Sequence, residues 1–122
     1  MTQEDKELLL KDLCARLPYG VIVSIPYNDK KFNAKLINIS GIFTEDVQII
    51  CENTLLYPSV LEHIQPYLRP MSSMTVDEEY EFNCQCPKWS DKADFCNAHH
   101  FDYRGLIEKG LALEAPDGMY TT

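Results

Sequence analysis

The sequence contains no run of 18 or more apolar residues, so no stretch of it is long enough to cross a bilayer as a helix. Its opening residues Thr2-Gln3-Glu4-Asp5 lack the basic and then apolar order of a secretory signal. The expectation is a cytoplasmic protein with no membrane partner. Glycine is scarce, with five in 122 residues, and none of it forms a phosphate-cradling loop or a nucleophile elbow. Bases are short as well: 11 Lys and Arg stand against 19 Asp and Glu, for a net charge of -8. A phosphate-tracking surface needs the opposite balance, which argues against nucleic acid as a partner. Five cysteines form an odd set without a signal peptide, and point to reduced thiols or a metal site rather than disulfides.

What is present suits one ordinary domain spanning 1–122: 45% of the residues are hydrophobic and 25% charged, enough for a core without staples. The charge is uneven. Residues 71–122 hold four basic and ten acidic residues, while 1–17 and 18–70 each sum to -1. An acidic face of this kind is either a solvated surface or a surface that meets a basic partner.

Periodicity divides the chain into a helix (1–17), a sheet region (18–70) and a helical, acidic region (71–122). Leu9, Leu10, Leu13, Cys14 and Leu17 recur at three- and four-residue spacings, with Lys11, Asp12 and Arg16 on the other side. Thr2 and Asp5 form a start signal, and Pro18 a stop. From Tyr19 the period becomes two, with Val21, Val23 and Ile25 on one face and a turn at Asn28-Asp29-Lys30. Phe32, Ala34 and Leu36 then alternate with Asn33, Lys35 and Ile37 up to Ser40-Gly41, and Val47–Glu52 reads as a third strand after Thr44-Glu45-Asp46. Residues 54–70, interrupted by Pro58, Pro66 and Pro70, leave two readings open. One is a short helical turn capped by Ser59 with Glu62; the other is a strand that closes a small SH3-like barrel.

Beyond that, Thr75 with Glu78 predicts a helix over about 76–83, Cys84–Trp89 a loop, and Ser90 or Asp91 a helix to about Ala98. Asp102 is read as the cap of a last helix ending near Lys109, with Gly110 as its stop and Phe101, Leu106, Ile107 and Leu111 packed inward. The fold class is therefore α+β: an N-terminal helix, a small antiparallel sheet and short C-terminal helices.

Candidate chemistry concentrates after residue 83. Cys84-x-Cys86, with nine residues between it and Cys96-x-x-His99-His100, brings together the ligand types zinc prefers, although C-x-C is not the usual knuckle. Cys84, Cys86, Cys96 and His99 are the candidate ligands, and zinc the one cofactor considered. Cys96, His99 or His100, and Asp102 also carry the side-chain types of a nucleophile, a base and its orienting acid, which would make a hydrolase. His63 lies in the proline-interrupted segment. Arg104 sits in an acidic setting, and carboxylates such as Asp102 or the Glu78 to Glu81 run are expected to hold it. Cys14 and Cys51 read as small buried hydrophobes.

Three stretches go further than composition: Leu13-Cys14-Ala15-Arg16-Leu17-Pro18-Tyr19-Gly20-Val21, Pro66-Tyr67-Leu68-Arg69-Pro70-Met71-Ser72-Ser73-Met74-Thr75, and Asn97 to Pro116 with its core His99-His100-Phe101-Asp102-Tyr103-Arg104-Gly105-Leu106. In these the chain resembles a family of small uncharacterised proteins of gut anaerobic bacteria and their phages. The resemblance implies an accessory gene of a phage or mobile element and carries no residue roles with it. Joined to the absence of a catalytic motif, it leads to a non-enzymatic domain that binds a macromolecule, most simply a protein, through His99, His100, Asp102, Tyr103 and Arg104. A zinc-binding domain is the alternative, and a hydrolase comes third.

Overall fold

A computed structural model describes residues 2–27, 30–40, 48–52, 59–60 and 64–120. The chain divides into two compact units, Met1–Tyr67 and Leu68–Thr122. The fold is α+β, with an N-terminal helix, a mainly antiparallel sheet and short C-terminal helices.

In the first unit, α1 (Gln3–Arg16) opens with a complete capping box: Thr2 Oγ1 accepts from the Asp5 amide at 3.0 Å, and the Asp5 carboxylate accepts from the Thr2 amide at 3.3 Å. α1 ends at Arg16, as the stop at Pro18 predicts, and Pro18 itself lies in the next element. This is a 3-10 turn, Leu17–Tyr19, which ends at Gly20 in the left-handed region (φ 69°). The conformation requires glycine there, while a Cβ would meet only the flexible end of the Lys35 side chain, which can move aside.

The buried face of α1 differs from the predicted stripe. Leu9 and Leu13 are buried as expected, but Leu10, Cys14 and Leu17 are only half-buried, and the stripe is completed by Asp12 and Arg16. Both of these charged side chains are fully buried, and Arg16 Nε donates to Asp12 Oδ2 at 2.9 Å across one helical turn. The pair satisfies in place the two groups that hydropathy alone assigns to water.

The sheet of this unit runs in the order β4-β3-β2-β1-β5, with β1 Ile22–Tyr27, β2 Lys30–Ser40, β3 Gln48–Cys51, β4 Ser59–Val60 and β5 Gln65–Leu68, every pairing antiparallel. Val21, Val23 and Ile25 are buried at the predicted period of two, whereas Tyr19 lies in the 3-10 turn and is exposed. Ser59 belongs to a strand and not to a helical turn. Pro66 is accommodated inside β5, opposite Val23. Among the described residues the strand order is open rather than a closed barrel. The expected turns at Asn28-Asp29 and Thr44-Glu45-Asp46, together with Glu62 and His63, lie outside the described residues.

β2 departs from simple alternation. Leu36 pairs with Cys51 but Asn38 pairs with Ile50, so Ile37 is an extra residue in the strand. Such a bulge reverses side-chain parity, because a one-residue slip moves every later side chain to the other face. Leu36 and Ile39 are consequently the buried pair, while Ile37 (45% exposed) and Asn38 both face away from the core. Asn38 Oδ1 accepts from the Ile39 amide at 2.9 Å, which holds the kink. Ile39→Ala is expected to cost about 2–4 kcal/mol in urea unfolding and Ile37→Ala under about 0.5 kcal/mol; equal costs would mean an unbulged strand. Cys51 is buried in β3, and burial pushes its thiol up to about 11. Cys14 is partly buried, and its thiol is raised for the same reason.

The second unit carries α2 (Val76–Tyr80), a π-helical turn (Glu81–Gln85), α3 (Trp89–His99) and a two-residue strand β6 (Leu113–Glu114). Cys84 and Gln85, predicted as loop, extend the α2 backbone because the π turn continues it. The predicted helix after Asp102 is absent. Residues 106–110 form turns, and Gly105 (φ 77°), inside the predicted span, takes left-handed backbone that a helix interior cannot include, while Gly110 (φ 74°) has the left-handed backbone expected of its stop. The packing expected of that segment is nevertheless present, since Phe101, Leu106 and Leu111 are buried and Ile107 is half-buried.

Candidate functional site

The candidate site is assembled around the end of α3. His100 adopts a left-handed conformation (φ 62°), its amide donates to Asn97 O at 3.3 Å, and the Phe101 amide donates to Cys96 O at 2.8 Å. These two bonds close the helix in the usual left-handed manner. The His100 ring is buried and stacks on Tyr120 at 4.0 Å. The chain then runs beside Arg69: the Arg69 amide donates to His100 O at 2.7 Å and the Asp102 amide to Arg69 O at 2.8 Å. This short parallel bridge places the Arg69 guanidinium 4.2 Å from the centre of the Phe101 ring.

Glu78 meets that guanidinium. Arg69 Nη1 donates to Oε2 and Nη2 to Oε1, each at 2.7 Å, a two-pronged pair. Oε1 also accepts from the Thr75 amide at 3.0 Å, so one carboxylate both starts α2 and anchors it. His99 Nδ1 stands 3.7 Å from Oε2. The Arg69 bonds, assisted by Thr75, hold the Glu78 carboxyl down at about 2. Beneath the pair, Phe95 packs against Phe101 (6.1 Å, nearly parallel) and His99 (4.3 Å), with Cys86 and Cys96 buried in the same apolar cluster.

The five predicted binding residues are thereby separated into different roles. His99 is half-exposed beside Glu78, and His100 is buried. Both Asp102 oxygens are committed to backbone, accepting from the Leu106 amide at 2.9 Å and the Ile107 amide at 3.0 Å. Tyr103 and Arg104 come together, with the guanidinium 4.4 Å from the ring centre and the Tyr103 hydroxyl donating to the buried Asn97 Oδ1 at 3.1 Å. Trp89, 68% exposed, packs edge-on against Tyr103 at 6.4 Å and extends this ridge. Of the carboxylates expected to hold Arg104, Glu78 is taken by Arg69. Sequence reasoning missed the Arg69–Glu78 pair because nine residues separate the partners and no helical period links them, although the Thr75/Glu78 start signal already marked one of them.

Of the candidate zinc ligands, Cys84 is exposed, Cys86 and Cys96 lie in the apolar cluster, and His99 leans on Phe95. Among the described residues, no group of three or more His, Cys, Asp or Glu side chains is placed to hold a metal ion. The nucleophile, base and acid considered for a hydrolase likewise have other duties, Cys96 being core and Asp102 a turn cap. No family model, curated protein or solved structure matches the chain.

Proposed function

We propose that the protein is a non-enzymatic module, an accessory protein of a phage or mobile element, that binds a protein partner through the ridge formed by Trp89, Tyr103 and Arg104. The observation that carries this reading is the exposure of Trp89 beside a tyrosine whose hydroxyl is tied to a buried asparagine and whose ring carries a guanidinium. Trp, Tyr and Arg dominate the energetics of protein interfaces, and a ring fixed before binding loses little freedom on contact. The net charge of -8 favours a protein over a nucleic acid.

Affinity purification from the native host tests the reading. A partner recovered with the parent chain is expected to be lost with Trp89→Ala, while unfolding stability stays within about 0.5 kcal/mol. Undiminished recovery with that variant would remove the ridge. Turnover of a hydrolase or transferase substrate that disappears in His99→Ala or Asp102→Ala would replace the binding module with an enzyme.

A further inference from the structure

Two exposed faces are complementary in charge and share an apolar character. The first belongs to α2 and the turn after it. Glu78 and Phe82, one helical turn apart, are the anchoring side of this segment: Glu78 is held by Arg69, and Phe82 lies 5.9 Å from the Phe95 ring with Lys92 Nζ 4.4 Å from its own ring centre. Lys92 also donates to Phe82 O at 2.6 Å, so the segment is fixed at both ends. The opposite side is left to solvent, with Val76 83% and Tyr80 60% exposed at helical spacing and Asp77, Glu79 and Glu81 exposed around them. Between Arg69 and Lys88 the sequence contains four acids and no base.

The second face belongs to β2. By the two-residue period Lys31, Asn33 and Lys35 share one side of the strand, all exposed, and the bulge adds the exposed Ile37. In a chain with 11 basic residues against 19 acidic, this strand alone holds three lysines and no acid.

We infer that the α2 face of one copy docks on the β2 face of a second copy, Tyr80 and Val76 meeting Ile37 and the lysine stems while Glu79 and Glu81 meet Lys31 and Lys35. The contact is small, so the association is weak and concentration-dependent. It is independent of the Trp89 ridge.

Sedimentation velocity over about 5–500 μM tests the inference, as weak interfaces fall in this range. The parent is expected to move from the 14.1 kDa monomer toward a dimer. Lys31→Glu with Lys35→Glu, and separately Glu79→Lys with Glu81→Lys, should each leave a folded monomer by circular dichroism. An equimolar mixture of these two variants should associate, because each reversed face then meets its reversed complement and each native face a native one. Tyr80→Ser should weaken the parent's association at least about fivefold. A parent that stays monomeric throughout, a reversed variant that associates by itself as the parent does, or a mixture that stays monomeric overturns the proposal.

Discussion

Arg16→Ala is expected to cost about 3–5 kcal/mol, far more than the loss of a surface cation, because it takes the guanidinium away from a carboxylate that no water reaches. The Asp12–Arg16 pair is fully buried, and its helical spacing of four residues puts both groups on the face that also carries Leu9 and Leu13. Asp12→Ala should be similarly damaging. The double replacement Asp12→Leu with Arg16→Met, which keeps volume and removes both charges, should recover most of the loss, since a buried pair is worth little against a well-packed apolar substitute. Urea unfolding followed by far-ultraviolet circular dichroism reads all three. If Arg16→Ala costs no more than about 0.5 kcal/mol, the pair is a solvated surface feature and the buried face of α1 has been misplaced.

The second large effect is at Arg69. Removing its side chain is expected to cost about 2–3 kcal/mol, less than at Arg16 because 23% of the Arg69 side chain and 16% of the Glu78 side chain still reach solvent. It also has a pH signature. The Glu78 carboxyl titrates at about 2 in the folded chain against an ordinary 4.5. A carboxyl depressed by folding stabilises the native state above its unfolded value and loses that contribution as pH falls toward the folded one. The parent should therefore lose about 2–3 kcal/mol between roughly pH 4.5 and 2 on account of this group, after allowance for solvent screening. Arg69→Met should flatten that part of the acid limb. Glu78→Gln should flatten it too while keeping the α2 start, because glutamine serves in the capping box as well as glutamate. Trp89, the one tryptophan of the chain, reports unfolding of this unit by fluorescence. An acid limb unchanged in both variants would place the titration elsewhere.

The two helix starts show what local chemistry settles. At Thr2/Asp5 and Thr75/Glu78 the capping partners lie three residues apart, so the side chain and the amide it bonds are neighbours whatever the rest of the chain does. The β1 core face was legible for a similar reason, since Val21, Val23 and Ile25 need only extended backbone to share a side. Asp102 shows the limit. Its side chain does cap backbone amides, as a helix start would, but it does so on Leu106 and Ile107, across the left-handed Gly105 that interrupts the predicted helix.

Sequence alone thus determined the α+β class, the N-terminal helix with its start, the first three strands and the burial of Phe101, Leu106 and Leu111. These follow from spacing and from contacts within a few residues. Tertiary structure decided which face of α1 is inside, the parity of β2 after Ile37, and the choice of Arg69 rather than Arg104 for Glu78. Each of these depends on a partner distant in sequence or on the exclusion of water: a burial that turns Asp12 and Arg16 into an internal pair, a neighbouring strand that leaves Ile37 without an opposite residue, and a bridge to residues 100–102 that brings Arg69 over Phe101. Hydropathy and period describe one residue against an average surrounding, and at these three places the surrounding is a particular side chain brought in by the fold.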